Sequence, residues 1–134
     1  MTRLLLDTNA YSALKRGDEA VASLVRAAEE IVFSAVVAGE LLYGFRHGSR
    51  TSANIAELDE FLSRPHVTFV PASRVTADRF ARIATALRKR GTPIPTNDIW
   101  IAAHAAETGA DLVSFDDHFR HVDSVAWVVP GGDA

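Results

Sequence analysis

The segment Leu4-Leu5-Leu6-Asp7-Thr8-Asn9 lies near the start of the chain and forms the centre of the predicted fold. Three consecutive leucines predict a strand that is buried on both faces, as in a parallel sheet. The strand ends at an aspartate, and open α/β sheets bind their ligands at the carboxyl ends of strands. We therefore interpret Asp7 as the first of several acids that surround a divalent metal ion.

The composition is typical of one globular domain. The chain has 134 residues, of which 48% are hydrophobic and 23% charged, and it has no cysteine. The absence of cysteine excludes disulfides and thiolate metal sites, and it suits a reducing cytoplasm, which is the predicted location. We expect no membrane span and no signal peptide, because the chain enters its first strand at once. The net charge of -3 argues against a generally basic nucleic-acid surface but permits a local basic rim.

Short apolar strands alternate with amphipathic helices along the chain. Strands are predicted at 4–6, 31–33, 67–70, 112–114 and 125–129, and helices at 10–16, 19–30, 35–47, 74–90 and 97–109, with a further helix between Gly48-Ser49 and Pro65. This alternation predicts an α/β fold, a three-layer α/β/α sandwich with a mostly parallel sheet of about five strands. No linker divides the chain, so residues 1–130 are expected to form a single domain. Residues 115–119 are predicted to be a loop and 131–134 a loose tail.

Two acids occupy unusual positions in the first half of the chain. Asp7 ends the first strand, where it can also act as the N-cap of the following helix. Glu40 has mostly apolar neighbours at helical spacing, and a carboxylate on such a face is costly to bury without a partner. The alternative is a narrow exposed stripe on this helix. Gly39 and Gly44 argue against that alternative, because they weaken the helix and indicate a close approach by another group.

Two further acids follow in the second half. Asp98 opens a helix that is apolar almost all round, as buried helices are, and the helix dipole favours an ionised carboxylate there. The alternative role is a helix cap, for which Thr96 and Asn97 compete. Asp116 follows the fourth predicted strand, with Asp117 next to it, and one of these two can be a simple turn residue.

These four acids are expected to converge, because the carboxyl ends of parallel strands share one edge of a sheet. Carboxylates about 4 Å apart repel by about 4 kcal/mol per pair in a partly screened site, so the cluster must bind protons or cations. Oxygen ligands without cysteine favour Mg²⁺ or Mn²⁺. A Zn²⁺ site would use histidine, and the five histidines show no pairing pattern. His104 is predicted to pack on the buried helix beside Trp100.

Such a metal site favours phosphoryl chemistry, because the ion activates water and neutralises phosphate charge. Neither a Gly-rich phosphate loop nor a recognisable Ser-His-acid arrangement is present, which leaves phosphodiester hydrolysis as the natural candidate. A polyanionic substrate also needs cations near the acids. The basic helix ends at Arg46 and at Arg88, Lys89 and Arg90 are candidates, although each also complements its helix dipole.

Four motifs in a fixed order carry a family resemblance. They are Leu-Asp-Thr-Asn at 6–9, Ser-x5-Glu-Leu-x2-Gly at 34–44, Asn-Asp-x2-Ile-Ala-Ala-x-Ala at 97–105 and Leu-Val-Ser-x-Asp-x2-Phe at 112–119. Together they cover residues 4 to about 129, and the chain resembles the PIN-domain ribonucleases, in particular the VapC-like toxins of bacterial toxin–antitoxin modules. The resemblance implies a PIN-like nuclease domain that cleaves RNA endonucleolytically with Mg²⁺ or Mn²⁺. It also implies a homodimer, with a larger toxin–antitoxin assembly as an open alternative, and a VapB-like antitoxin whose carboxyl-terminal segment blocks the acidic groove.

The resemblance also assigns roles to individual residues. It places metal-binding, catalytic acids at Asp7, Glu40, Asp98 and Asp116, and supporting polar roles at Thr8, Asn9 and Ser114. Relatives differ in residue and spacing around the last acid, which leaves open whether Asp117 assists.

Other functional classes fit the residues less well. A haloacid-dehalogenase phosphatase would need a second acid at the position of Asn9, and a response-regulator receiver would need an acid pair near the first strand and a lysine after the last. DNA cleavage by the same site is chemically possible. A non-catalytic RNA- or protein-binding module is the alternative from another class.

Overall fold

The fold places β1 at the centre of a parallel sheet. The computed structural model describes residues 2–132. The strands are β1 (Arg3–Leu6), β2 (Glu30–Ser34), β3 (Val67–Val70), β4 (Asp111–Val113) and β5 (Trp127–Val128), and their order in the sheet is β3-β2-β1-β4-β5. All four pairings are parallel. The order reverses between β1 and β4, which is the position where open α/β sheets bind ligands.

Six helices complete the predicted three-layer α/β/α sandwich. They are α1 (Thr8–Lys15), α2 (Glu19–Ala27), α3 (Ala35–Arg46), α4 (Thr51–Leu62), α5 (Arg74–Arg90) and α6 (Thr96–Thr108). Within residues 2–132, no helix combines the length and the hydrophobicity that a membrane crossing requires.

The core explains why β1 is central. Leu4, Leu5 and Leu6 are at most 3% exposed, as expected for a strand covered on both faces. The rings of Tyr11 and Phe33 meet edge to face with their centroids 5.6 Å apart, and the ring of Phe61 contacts Tyr11 in the same way at 5.6 Å. Edge-to-face aromatic pairs add about 0.5–1.5 kcal/mol beyond the area that they bury.

Several predicted boundaries were wrong. Helix α2 ends at Ala27 rather than near Glu30, because Glu30 pairs with Arg3 at the start of β2. The predicted loop at 115–119 contains the start of a short 3₁₀ helix, η1 (Asp117–His121), and β5 has two residues rather than five. In the predicted loose tail, the amide of Gly132 donates to the carbonyl of Val129 in a turn. Residues 133 and 134 of that tail lie outside the described residues.

Helices α5 and α6 pack antiparallel against each other. The hydroxyl of Thr76, near the start of α5, donates to Glu107 near the end of α6. Further along, the rings of Phe80 and Trp100 stack with their centroids 4.1 Å apart. The last turns of α5 therefore lie beside the start of α6, where Asp98 is located.

A buried histidine links the helices that carry two of the predicted site acids. The Nε2 atom of His104 lies 3.2 Å from the carbonyl oxygen of Pro71, and its Nδ1 atom lies 2.7 Å from the hydroxyl of Ser34. Because a carbonyl only accepts, Nε2 carries the proton and Ser34 donates to Nδ1. Ser34 also caps α3 by accepting from the amide of Val36. This contact fixes the start of α3, which carries Glu40, against α6.

We expect His104→Leu to destabilise the protein in a pH-dependent way. The substitution leaves the buried hydroxyl of Ser34 without an acceptor for its proton, at a cost of about 1–3 kcal/mol, and it removes the donor to the carbonyl of Pro71. Burial lowers the pKa of His104 below its ordinary value of 6.5, so the wild-type protein keeps this ring neutral and gains its full stability only above that value. The free energies of unfolding of wild type and His104→Leu, measured by urea titration, should therefore differ most at pH 7.5. This difference should become smaller towards pH 5.

The control is His66→Leu, which removes a partly exposed imidazole and should cost about 0.5 kcal/mol or less. A wild-type advantage over His104→Leu that grows as the pH falls would contradict the neutral, buried His104.

Candidate metal centre

The four predicted acids lie around the carboxyl end of β1. Asp7 follows β1 directly and is 6% exposed, and Asp116 lies just beyond β4, the neighbouring strand. Asp98 is in the first turn of α6, and Glu40 is in the second turn of α3. The charges of Asp98 and Asp116 both raise the pKa of Asp7, and that of Glu40 raises the pKa of Asp98. The fold thus brings the four acids to one end of the sheet, and two of them, Asp98 and Asp116, offer ligand atoms within 4.8 Å of each other.

Asp7 is both a helix cap and a member of this group. Its Oδ1 accepts a hydrogen bond of 2.9 Å from the amide of Ala10 and so caps α1, and its Oδ2 accepts from the hydroxyl of Ser114. Burial raises the pKa of Asp7 most, and these two hydrogen bonds oppose that effect. The two interpretations of this residue are thus compatible.

Asp98 and Asp116 share a histidine. The Nδ1 atom of His118 lies 3.0 Å from Oδ1 of Asp116 and 3.3 Å from Oδ2 of Asp98. Asp116 also caps η1 by accepting from the backbone amide of His118. One ligand atom from each of the three residues lies within 4.8 Å of the others. Burial raises the pKa of Asp98, the hydrogen bond to His118 lowers it, and the charge of Asp116 raises it.

Glu40 approaches the centre from the side of a groove. Its Oε1 accepts a hydrogen bond of 2.6 Å from the hydroxyl of Thr8, and its Oε2 accepts one of 3.4 Å from the side-chain amide, Nδ2, of Asn97. These three residues line a groove of about 600 Å³ together with Val36, Gly39 and Tyr43. Glu40 therefore has polar partners at the edge of α3. The close approach predicted from Gly39 and Gly44 was wrong, because a Cβ built on either glycine would meet no atom of the described residues within 4 Å apart from its own helical turn, and both glycines lie on an exposed part of α3.

The remaining predicted polar residues fall into two groups. Thr8 and Ser114 contact the acids directly, and Ser114 also accepts a hydrogen bond from the amide of Asp116. Asn9 is exposed. The side chain of Asp117 is 71% exposed and lies near Arg120 rather than in the ligand group with Asp116.

Sequence reasoning missed two contributors. The sequence predicts Asn97 only as a helix cap, but α6 begins at Thr96 without any side-chain cap, and the Asn97 side chain faces Glu40. His118 is one of the five histidines for which the sequence shows no pairing pattern. The spacing Asp116-x-His118 was the available signal, because a short helix after the acid returns the second side chain to the first.

The predicted basic residues differ in their availability. Arg90 donates to the carbonyl of His121 and to the carboxylate of Asp123, both at 2.9 Å, so it connects α5 to η1. Arg46, Arg88 and Lys89 are exposed.

The donor set fits a hard divalent cation. Carboxylate oxygens predominate, with one imidazole nitrogen beside them. Burial raises the pKa values of Asp7 and Asp98 most, and the neighbouring carboxylates add to the rise, so a cation bound here would stabilise the ionised acids. Mg²⁺ and Mn²⁺ prefer such oxygen ligands.

Comparisons with known proteins agree with this geometry. The family model described as PIN domain matches residues 4–125. The chain therefore belongs to the PIN-domain family. Within that family it is similar to ribonuclease VapC2 of Haemophilus influenzae, with 35% identity over 116 residues that cover 85% of this chain and 86% of that protein. A ribonuclease VapC5 of Mycobacterium tuberculosis is 27% identical and covers 92% of this chain and 90% of its own.

Solved structures show the same architecture. The VapBC-5 toxin–antitoxin structure from Mycobacterium tuberculosis matches with a TM-score of 0.70 and 25% identity, covering 96% of this chain and 98% of that one. VapBC2 from Rickettsia felis, solved with a promoter DNA fragment, matches with a TM-score of 0.84 and 24% identity over the same shares. The predicted α/β/α fold is thereby confirmed.

We expect Asp98→Asn to stabilise the metal-free protein increasingly as the pH rises. The pKa of Asp98 lies above its ordinary value of 3.8, so the folded wild-type protein loses stability as the pH rises through that raised pKa. The asparagine does not ionise and avoids this loss. In EDTA, the unfolding free energy of Asp98→Asn relative to wild type should rise from pH 4 to pH 8. The control is Asp59→Asn, at an exposed position on α4. A stability of Asp98→Asn relative to wild type that falls as the pH rises would contradict the raised pKa of Asp98.

Proposed function

We propose that this protein is a Mg²⁺- or Mn²⁺-dependent endoribonuclease that acts as the toxin of a toxin–antitoxin pair. The observation that carries the proposal is the gathering of Asp7, Asp98 and Asp116 at the switch point of the sheet, with Glu40 at the rim of the adjacent groove. Support for RNA as the substrate comes from the names of the relatives, which are ribonucleases.

The four acids would hold the metal, with Asp98 supplying oxygens from α6, Asp116 from the residues after β4, Asp7 from the end of β1 and Glu40 from the side of the groove. When bound, the ion lowers the pKa of a coordinated water and neutralises charge on the phosphate. Ser114 orients the carboxylate of Asp7, and Thr8 and Asn97 orient that of Glu40. Because Glu40 lines the groove, its carboxylate would also accept a proton from the attacking water. We keep Asn9 as a supporting residue at the exposed start of α1.

The groove beside Glu40 is also the proposed target of the antitoxin. A VapB-like partner whose carboxyl-terminal segment fills this groove would exclude RNA from the acids. The VapBC-5 structure, in which a related toxin is paired with its antitoxin, supports such a partner. We further propose a homodimer that works in the cytoplasm.

We expect the purified protein to cleave RNA with Mg²⁺ or Mn²⁺ and to lose this activity in EDTA. Asp98→Asn should reduce the rate by at least about 100-fold, because it removes a charged metal ligand and leaves the fold intact. A metal concentration of 100 times Kd should also stabilise the wild-type protein by about 2.7 kcal/mol, and Asp98→Asn by much less. The measurements are cleavage of a fluorescently labelled RNA and thermal unfolding with and without metal.

The control is again Asp59→Asn, which should keep both the activity and the metal response. Cleavage that continues unchanged in EDTA would remove the metal from the mechanism. RNA binding without any cleavage would instead favour the non-catalytic module.

We expect the exposed cations at the end of α5 to bind RNA phosphates. Replacing both Arg88 and Lys89 by glutamine should lower the salt dependence of RNA binding, because each lost phosphate contact on a single strand reduces the slope of log K against log salt by about 0.7. Binding is measured by fluorescence anisotropy in EDTA. The control replaces Arg26 on α2 and Arg64 in the turn after α4 by glutamine, because both guanidinium groups are ion-paired away from the end of α5. Equal slopes in the wild type and both double variants would exclude this surface.

A further inference from the structure

The side chain of His118 points one nitrogen at two of the acids. We infer that Nδ1 of His118 is a ligand of the metal ion held by Asp98 and Asp116, and that this nitrogen makes the site prefer Mn²⁺ over Mg²⁺. The inference rests on the proposed function, and it adds to it a fifth ligating side chain and a choice between the two ions.

The distances fit neighbouring ligands of one ion. An octahedral ion with ligands at about 2.1 Å has adjacent ligand atoms about 3 Å apart. Nδ1 of His118 lies 3.0 Å from Oδ1 of Asp116 and 3.3 Å from Oδ2 of Asp98. In the metal-free protein, a proton on Nδ1 can bridge the same atoms at the same distances. An ion that displaces this proton therefore needs only a small movement of the imidazole relative to either carboxylate.

The fold sets the position of the imidazole in advance. The backbone amide of His118 donates to Oδ1 of Asp116 at 2.9 Å, so the residue is anchored to one of the ligands by its main chain. The next residue, Phe119, is only 1% exposed and fixes η1 in the core. Arg90 holds the end of η1 through the carbonyl of His121. Preorganised ligands of this kind lose little conformational entropy when they bind an ion.

The nitrogen changes which ion the site selects. Carboxylates and water suit both Mg²⁺ and Mn²⁺, whereas imidazole is a good ligand for transition-metal ions and a poor one for Mg²⁺. A site with carboxylates alone would discriminate little between the two. With His118 among the ligands, Mn²⁺ gains an interaction that Mg²⁺ does not.

The test compares metal binding by wild type, His118→Gln and a matched control, His121→Gln, which changes a histidine at the other end of η1. Calorimetric titration of the full-length protein with MnCl₂ and with MgCl₂ gives the two Kd values. Loss of groups that only support metal ligands weakens affinity by about 10–100-fold, so loss of a ligand should weaken Mn²⁺ by at least about tenfold. Mg²⁺ binding by His118→Gln should change much less, and His121→Gln should match wild type for both ions.

A spectroscopic measurement identifies the ligand directly. In protein labelled with ¹⁵N-histidine, electron spin echo modulation of bound Mn²⁺ should show coupling to one imidazole nitrogen in wild type and in His121→Gln, and none in His118→Gln. Because His118 has 44% of its side chain exposed, its replacement should leave the fold intact, and the wild-type spectrum needs no variant.

Several results would overturn the inference. They are a wild-type Mn²⁺ spectrum without nitrogen coupling, coupling that persists in His118→Gln, and equal losses of Mn²⁺ and Mg²⁺ affinity in that variant. Each leaves the proposed function standing if wild type binds metal and cleaves RNA. Failure of the wild-type protein to bind either ion would instead overturn the proposed function together with this inference.

Discussion

Electrostatic repulsion among carboxylates at one edge of the sheet is the constraint on which the rest of this structure depends. Asp7 is nearly inaccessible to solvent, and this burial raises its pKa most, while the charges of Asp98 and Asp116 raise it further. Such an arrangement opposes folding, so its persistence requires stabilisation elsewhere. The leucines of β1, the aromatic cluster around Tyr11 and the antiparallel contact of α5 with α6 supply it.

Topology, rather than local sequence, brings the acids together. Leu6 pairs with Val113 in parallel register, so the residues that follow β1 and β4 leave the sheet side by side. Asp7 and Ser114 are those residues, and their side chains are hydrogen-bonded. The hydroxyl of Ser114 then accepts from the amide of Asp116, which extends the same contact to the next acid. The register of β1 against β4 thus fixes the positions of Asp7, Ser114 and Asp116, although Asp7 is more than 100 residues from the other two in the chain.

Features that depend on hydrophobic periodicity or on the residue that ends a strand could be predicted from the sequence. The strands, the helix order, the position of Asp7 and the buried His104 all follow from runs of apolar residues and the polar residues that end them. The partners of Glu40 and Asp98 could not be found this way. Asn97 and His118 reach these acids through the conformation of a helix terminus and of η1, and neither conformation has a hydrophobic period. Arg90 was predicted only as an RNA-binding cation, and its contacts with His121 and Asp123 could not be predicted, since they are set by tertiary packing.

The double role of Asp7 shows how closely stability and chemistry are coupled here. One oxygen caps α1 and the other accepts from Ser114, so the same carboxylate that is costly to bury also begins a helix and joins two strands. A substitution at Asp7 therefore changes the cap, the strand connection and the charge at once. Asp98 lies in the first turn of α6 without capping it, and its charge can be removed with less effect on the backbone. A substitution at Asp98 therefore reports on the chemistry of the site more directly than one at Asp7, because it disturbs the scaffold less.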